Sequence, residues 1–329
     1  MRRAVGPITL LICLLAGLVA PAHAIIVLGG TDAAGVADGS GRNLNPAPSN
    51  LGNYVFDFGS FLGTPIAPQY FVTANHIGNG GSGGAFVYNN GTATPTAYTA
   101  TLAAVQDDLA IWKLSDNQTF SLYAPLYTAS NEVGNTLITI GRGTQRGTPL
   151  NNPNNQPAGW NWGVGDGLVS WGSGTINGVF NQGPQGFGGD LLTFSFTRTN
   201  DSGGNVTDPN QGIFSTGDSG GPTFVFNPAD QRYELAGINA LVDSVNEPPN
   251  GGVAGGTVNA ALYDARGFYG GADGTTLIDG PDPVPLSSYI TRISSRIGFI
   301  DSVVPEPGSA TLLTIAGGLL LRRRRLQVL

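Results

Sequence analysis

Gly217-Asp218-Ser219-Gly220-Gly221-Pro222 is the stretch on which the reading of this chain turns. A serine among glycines sits on a turn that leaves its hydroxyl exposed. Neighbouring backbone N–H groups can then point at a bound oxygen. A serine hydroxyl is a weak nucleophile until a base takes its proton. Upstream, Phe71-Val72-Thr73-Ala74-Asn75-His76 supplies an imidazole. Between the two lies Asp107-Asp108-Leu109-Ala110-Ile111-Trp112-Lys113-Leu114, a pair of carboxylates ahead of an apolar run. The order is His, Asp, Ser. The six residues also fit Gly-x-Ser-x-Gly, an elbow in which the partners follow the serine and end with histidine. No histidine follows Ser219, so that alternative fails.

With these flanks, the three motifs resemble the chymotrypsin/trypsin-like serine proteases. The resemblance implies that Ser219 is the nucleophile, His76 the general base and Asp108 the group that orients the imidazole and stabilises its charge. It implies an oxyanion hole made by the backbone N–H groups of Gly217 and Ser219. Asp107 and Asp116 compete for the role of Asp108. Asp107 is one residue out of register, and strand alternation sends it to the opposite face. Asn75 stands where the family has a small residue. Asp218 is implied to form a structural ion pair with the α-amino group of Ile25 once the chain is cut before it. Ile25-Ile26-Val27-Leu28-Gly29-Gly30 has one more residue ahead of its glycines than the family pattern. Ile213, Val242 and Ser288 are implied to line the primary specificity pocket. An apolar floor cannot stabilise a buried Arg or Lys, so uncharged side chains are expected there.

Short β-rich runs separated by Gly, Asn, Pro and Ser clusters suggest an all-β barrel or sandwich. They are Tyr54–Phe58, Tyr70–Thr73, Ala85–Tyr88, Thr136–Ile140, Leu191–Phe196, Pro222–Phe226 and Tyr233–Ile238. Helical periodicity is nearly absent; Ser294–Ile300 is a short C-terminal helix candidate with a serine cap. The resemblance turns the strands into two six-stranded antiparallel β-barrels. The first spans 25–128 and carries His76 and Asp108; the second spans 129–303 and carries Ser219. Gly134–Gly143 resembles the strand that opens the second barrel, and Ser288–Ser295 its last strand and the entry to the terminal helix. Asn151–Gly174 and Asn246–Gly280 read as surface loops from their composition.

Both ends read as addresses. Arg2-Arg3, the apolar run Ile8–Val19 and Ala22-His23-Ala24 form a secretory signal, residues 1–24, cut after Ala24. Val304-Pro305-Glu306-Pro307-Gly308, the apolar run Ser309–Leu321 and Arg322–Arg325 resemble the PEP-CTERM sorting signal of Gram-negative bacteria, residues 304–329. That resemblance implies transient membrane association and processing by an exosortase. The apolar run is short for a stable span of about 20 residues. The only cysteine, Cys13, lies in the leader, so residues 25–303 have no disulfide and must rely on core packing. One histidine and no cysteine also argue against a zinc site. Asp201 and Asp208 lie among amides in Asn200–Asn210, a conceivable Ca²⁺ site that matches no EF-hand spacing.

Residues 25–303 hold nine Lys or Arg against 21 Asp or Glu, a net charge of −12. Nucleic acid is therefore an unsuitable partner. The expected function is a secreted or cell-surface serine endopeptidase acting on protein or peptide substrates, with no cofactor and no metal. Two alternatives share the same residues: a non-catalytic surface or matrix protein on a protease fold, and an esterase.

Overall fold

The computed structural model describes residues 25–80, 85–88, 96–115, 117–165, 167–181, 187–196, 208–249, 255–271 and 274–305. The leader 1–24, the tail after Pro305, Asp116, Asp201 and most of Asn200–Asn210 lie outside the described residues. The protein is all-β, with one short α-helix, Ile297–Val303, among the described residues.

Six strands close a barrel in the order Phe56–Phe58, Phe61–Ala67, Tyr70–Ala74, Leu109–Leu114, Thr96–Gln106 and Ala85–Tyr88. The pairing of Asp57 with Val87 closes it. Apart from the exposed Lys113, Leu109–Leu114 is buried and apolar on both faces. Ala110, Trp112 and Leu114 point into the barrel with Phe56, Phe58, Phe71 and Phe120. Leu109 and Ile111 point the other way. With Val72 and Ala74 they meet Ile138, Ile140, Phe224, Leu235 and Ile238 of the second half. The period-two alternation of these strands thus builds two cores at once.

The second half is a seven-stranded antiparallel sheet. Its order is Ser170–Thr175, Thr136–Gly141, Pro222–Asn227, Arg232–Val242, Ser287–Arg292, Leu191–Ser195 and Gly178–Phe180. No pair among the described residues closes it into the expected six-stranded barrel. It curls instead: the ring of Phe194 lies against Gly174 of the opposite edge strand. Leu137, Leu192, Phe194, Phe214, Val225 and Ile290 fill the concave side, joined by Ile25 and Val27.

Each of the seven strands expected from the sequence overlaps an observed one; Tyr54 falls in a 3-10 segment, Pro48–Tyr54, instead. The two stretches read as surface loops are partly strand. Pro157–Trp162 pairs with Arg146–Asn151 on one side and Ala260–Leu262 on the other. Val245–Asn246, Thr257–Val258, Tyr269–Gly270 and Thr276–Leu277 form a small four-stranded sheet. Composition misled because glycine and asparagine interrupt these short strands, yet Ala158, Ala260, Ala261, Leu262 and Val245 are buried in a common cluster with Trp160 and Trp162 packed against it. Near the C-terminus a 3-10 turn, Ser294–Arg296, precedes the helix. The expected serine cap is absent: the Ser294 hydroxyl donates to Glu132. Ile300 anchors the helix in the core between the two halves. No helix among the described residues is long and apolar enough to cross a membrane.

Candidate active site

His76 follows directly on the strand Tyr70–Ala74, in the 3-10 turn Asn75–Ile77. Asp108 immediately precedes the neighbouring strand Leu109–Leu114, where Ala74 pairs with Leu109. That register sets the two side by side. The Asn75 N–H donates to the Asp108 carbonyl at 2.8 Å, and the His76 N–H donates to Asp108 Oδ1 at 2.9 Å. His76 Nδ1 lies 2.9 Å from both carboxylate oxygens. An ionised carboxylate only accepts, so Nδ1 carries the proton and Nε2 is left as an acceptor. Ser219 Oγ is 2.8 Å from Nε2 and donates to it. Asp108 is 1% exposed, whereas the His76 side chain is 31% exposed. The run of hydrogen bonds thus passes from a buried carboxylate to a hydroxyl at the cleft.

Asp107 does not reach this run. It sits in the turn between two strands, with φ of 54°, and its carboxylate pairs with Arg296. The turn, rather than strand alternation, sends it away.

The loop that carries Ser219 is wedged between the two halves. A Cβ at Gly220, where φ is +81°, would meet Thr73 Oγ1 at 2.4 Å and the Leu62 carbonyl at 2.7 Å. Only glycine admits this approach. On the other side stands Asn239, fully buried in the strand Arg232–Val242. Its Nδ2 donates to the carbonyls of Ile140 at 2.9 Å and Asp218 at 3.2 Å. Its Oδ1 accepts from the hydroxyls of Thr139 and Thr223. Its backbone exchanges hydrogen bonds with Gly220 and Gly221. Sequence reasoning missed this residue. A lone amide inside Leu235–Leu241 was the available signal, since a buried amide must find partners. At Gly217, φ is +94°. Among the described residues, the N–H groups of Gly217 and Ser219 have no protein acceptor.

Asp218 points away from the cleft and is 1% exposed. Its carboxylate accepts from the N–H groups of Gly143 and Ser215, each at 2.7 Å, and from the Ser215 hydroxyl at 3.1 Å. Burial pushes its pKa up to about 7, against the lowering effect of these donors. Ile25 lies close by: a Cβ at Gly141 would touch both Asp218 Oδ1 and Ile25 Cδ1. Ile25 is itself fully buried.

A cavity of about 330 Å³ opens beside Ser219. Phe61, His76 and Ile77 line one side; Trp162, the segment 214–219 and residues 240–242 line the rest. A register shift between Asn239 and Leu241 bulges the strand there. Of the three residues expected in a specificity pocket, Val242 lines this cavity. Ile213 is fully buried opposite Ile26, and the Ser288 hydroxyl accepts from the Phe214 N–H at 2.9 Å. Both stand behind the wall. Trp162, in a stretch read as a loop, and Phe187, whose ring centroid is 5.2 Å from that of His76, were not anticipated. No cluster of His, Cys, Asp or Glu among the described residues could hold a metal ion.

No protein-family model matches the chain, and no curated protein does. Among the solved structures similar to it are two bacterial proteins. One is the MamO protease domain from Magnetospirillum magneticum in its apo form, at 14% identity and a TM-score of 0.39, over 87% of this chain and 98% of that one. The other is the passenger domain of plasmid-encoded toxin, an autotransporter enterotoxin from enteroaggregative Escherichia coli. There the identity is 15% and the TM-score 0.41, over 75% of this chain; the chain spans 22% of that passenger.

Proposed function

We propose that the chain is a serine endopeptidase. The observation that carries this is the run of hydrogen bonds from Asp108 through His76 to Ser219, ending beside the Gly217 and Ser219 N–H groups, which have no acceptor among the described residues. Ser219 Oγ attacks the carbonyl carbon of a peptide bond while its proton passes to His76 Nε2. The carbonyl oxygen becomes an oxyanion held by the Gly217 and Ser219 N–H groups; one such donor is worth about 3–4 kcal/mol in the transition state. Asp108 stabilises the imidazolium. His76 then gives its proton to the leaving amine, and an acyl-enzyme remains. Water repeats the sequence, releasing the acid and restoring Ser219.

The partner is a protein or peptide. Apart from His76 and Asp218, the cavity lining carries no charge, which favours an uncharged side chain on the acyl side of the cut. Asp218 serves as the structural ion-pair partner of Ile25 after cleavage, since the two flank Gly141. The sequence of the two ends supports export, signal peptidase cutting after Ala24 and an exosortase acting at the tail.

A fluorophosphonate probe and a casein digest test the proposal. Wild type is expected to be labelled at Ser219 and to cut casein. Ser219→Ala and His76→Ala should each lose nearly all activity, and the double variant little more, because the groups share one proton-transfer path. Asp108→Asn should fold and lose about 10⁴-fold in kcat through the wrong tautomer. Equal hydrolysis by wild type and Ser219→Ala would sink the proposal. Labelling with ester but no peptide turnover would mark an esterase, and no labelling a scaffold.

A further inference from the structure

Arg296 is the most buried guanidinium of the described residues that form ion pairs, at 3% exposure, and it lies outside the cleft. Its Nη2 donates to Asp107 Oδ2 at 2.9 Å and to the Gly189 carbonyl at 3.0 Å. Its Nη1 donates to the Arg292 carbonyl at 3.1 Å and to Ser295 Oγ at 3.2 Å. Two of these partners lie within four residues of it, Ser295 in the same 3-10 turn and Arg292 at the end of the preceding strand. The other two belong to segments that flank His76.

Asp107 adjoins Asp108 and sits in the turn between the two strands in a left-handed backbone conformation, which aspartate tolerates better than most side chains. Gly189 belongs to the loop that places the Phe187 ring beside His76. The two segments also interlock: a Cβ at Gly188 would meet Asp107 Cγ at 2.4 Å. One guanidinium, fixed from the C-terminal 3-10 turn, therefore clamps the turn that carries Asp108 to the loop that shields the imidazole. A planar fork with several donors suits such a junction; a point charge does not.

We infer that Arg296, with Asp107, is a positioning residue that sets Asp108 and Phe187 against His76. The catalytic consequence rests on the peptidase function proposed above. Neither residue touches substrate or the reacting atoms, and both act through the geometry of the imidazole.

Arg296→Met, Asp107→Ala and Asp107→Asn in the full chain test this by two independent readouts. The first is kcat against KM on a cleaved peptide. Arg296→Met and Asp107→Ala should lower kcat by about ten- to hundredfold with KM nearly unchanged, as expected of a displaced catalytic geometry. Asp107→Asn keeps an acceptor oxygen for Arg296 and should stay near wild type. The second is exchange of the His76 Nδ1 proton, followed by NMR in a His23→Gln background with one imidazole. That proton should exchange faster in Arg296→Met and Asp107→Ala, and at the wild-type rate in Asp107→Asn. Wild-type kcat and wild-type exchange in the first two variants would overturn the inference. If Arg296→Met does not fold, the contrast between the two Asp107 variants decides. If the wild type proves inactive, the peptidase function fails, while the exchange contrast still decides whether the clamp positions His76.

Discussion

Asp218 shows how one residue can carry two demands. Its backbone belongs to the Ser219 loop, and its carboxylate is buried among neutral donors from Gly143 and Ser215. Without a cation, burial dominates and the pKa rises from 3.8 to about 7. Between these values the unfolded carboxylate has released a proton that the folded one retains. The stabilising contribution is full below about 3.8 and is lost as pH rises to about 7. In the full chain, the melting temperature should therefore fall from pH 4 to pH 7 more steeply than in Asp218→Asn. A chain beginning at Ile25, with an α-amino group beside the carboxylate, should lose that excess slope. Parallel melts of the three proteins check this; equal slopes for the full chain and Asp218→Asn would mean that Asp218 does not titrate there. Ser219, His76 and Asp108 were legible in local motifs because each flank is short and compositionally distinctive. Asn239 and Arg296 were not, since their partners lie on other elements and a single amide or guanidinium announces nothing locally.

At the scale of the element, the strands were legible wherever alternation or an apolar run stood between turn residues. Leu109–Leu114 and Tyr70–Ala74 are such cases. Pro157–Trp162 was not, because its proline, glycine and asparagine read as turn residues around the two tryptophans and its pairing partner Ala260–Leu262 lies about 100 residues away. That strand matters to the cleft through Trp162, which lines the cavity beside Leu241 and Val242. Trp162→Ala should enlarge the cavity. The acyl-side preference should shift toward bulkier apolar side chains, by about tenfold in relative kcat/KM, the scale of a few methylenes in a pocket. A peptide library cut by both proteins would register the shift, and an unchanged profile would remove Trp162 from the specificity wall.

At the scale of the whole molecule, the site exists only where the two halves meet. His76 and Ser219 are 143 residues apart and joined by one 2.8 Å hydrogen bond. That distance is held by the apolar core shared by Val72, Ala74, Leu109 and Ile111 with Ile138, Ile140 and Phe224. Arg142 adds a second tie, donating to the carbonyls of Gly59 in the barrel and Gly167 in the second half, each at 3.1 Å. The two address-like ends should be missing from the exported protein. Intact-mass measurement should find neither residues 1–24 nor Arg322–Arg325, and a retained arginine run would refute the sorting signal. By itself the sequence determined the all-β class, most strand positions and the three residues of the hydrogen-bond run. These rest on local periodicity and short motifs, which a chain displays before it folds. Only the tertiary structure decided the open seven-stranded second sheet, the wall built by Trp162, the partners of Asp218 and the clamp at Arg296. Those depend on which distant segments share one volume, and that is set by packing rather than by neighbours in the chain.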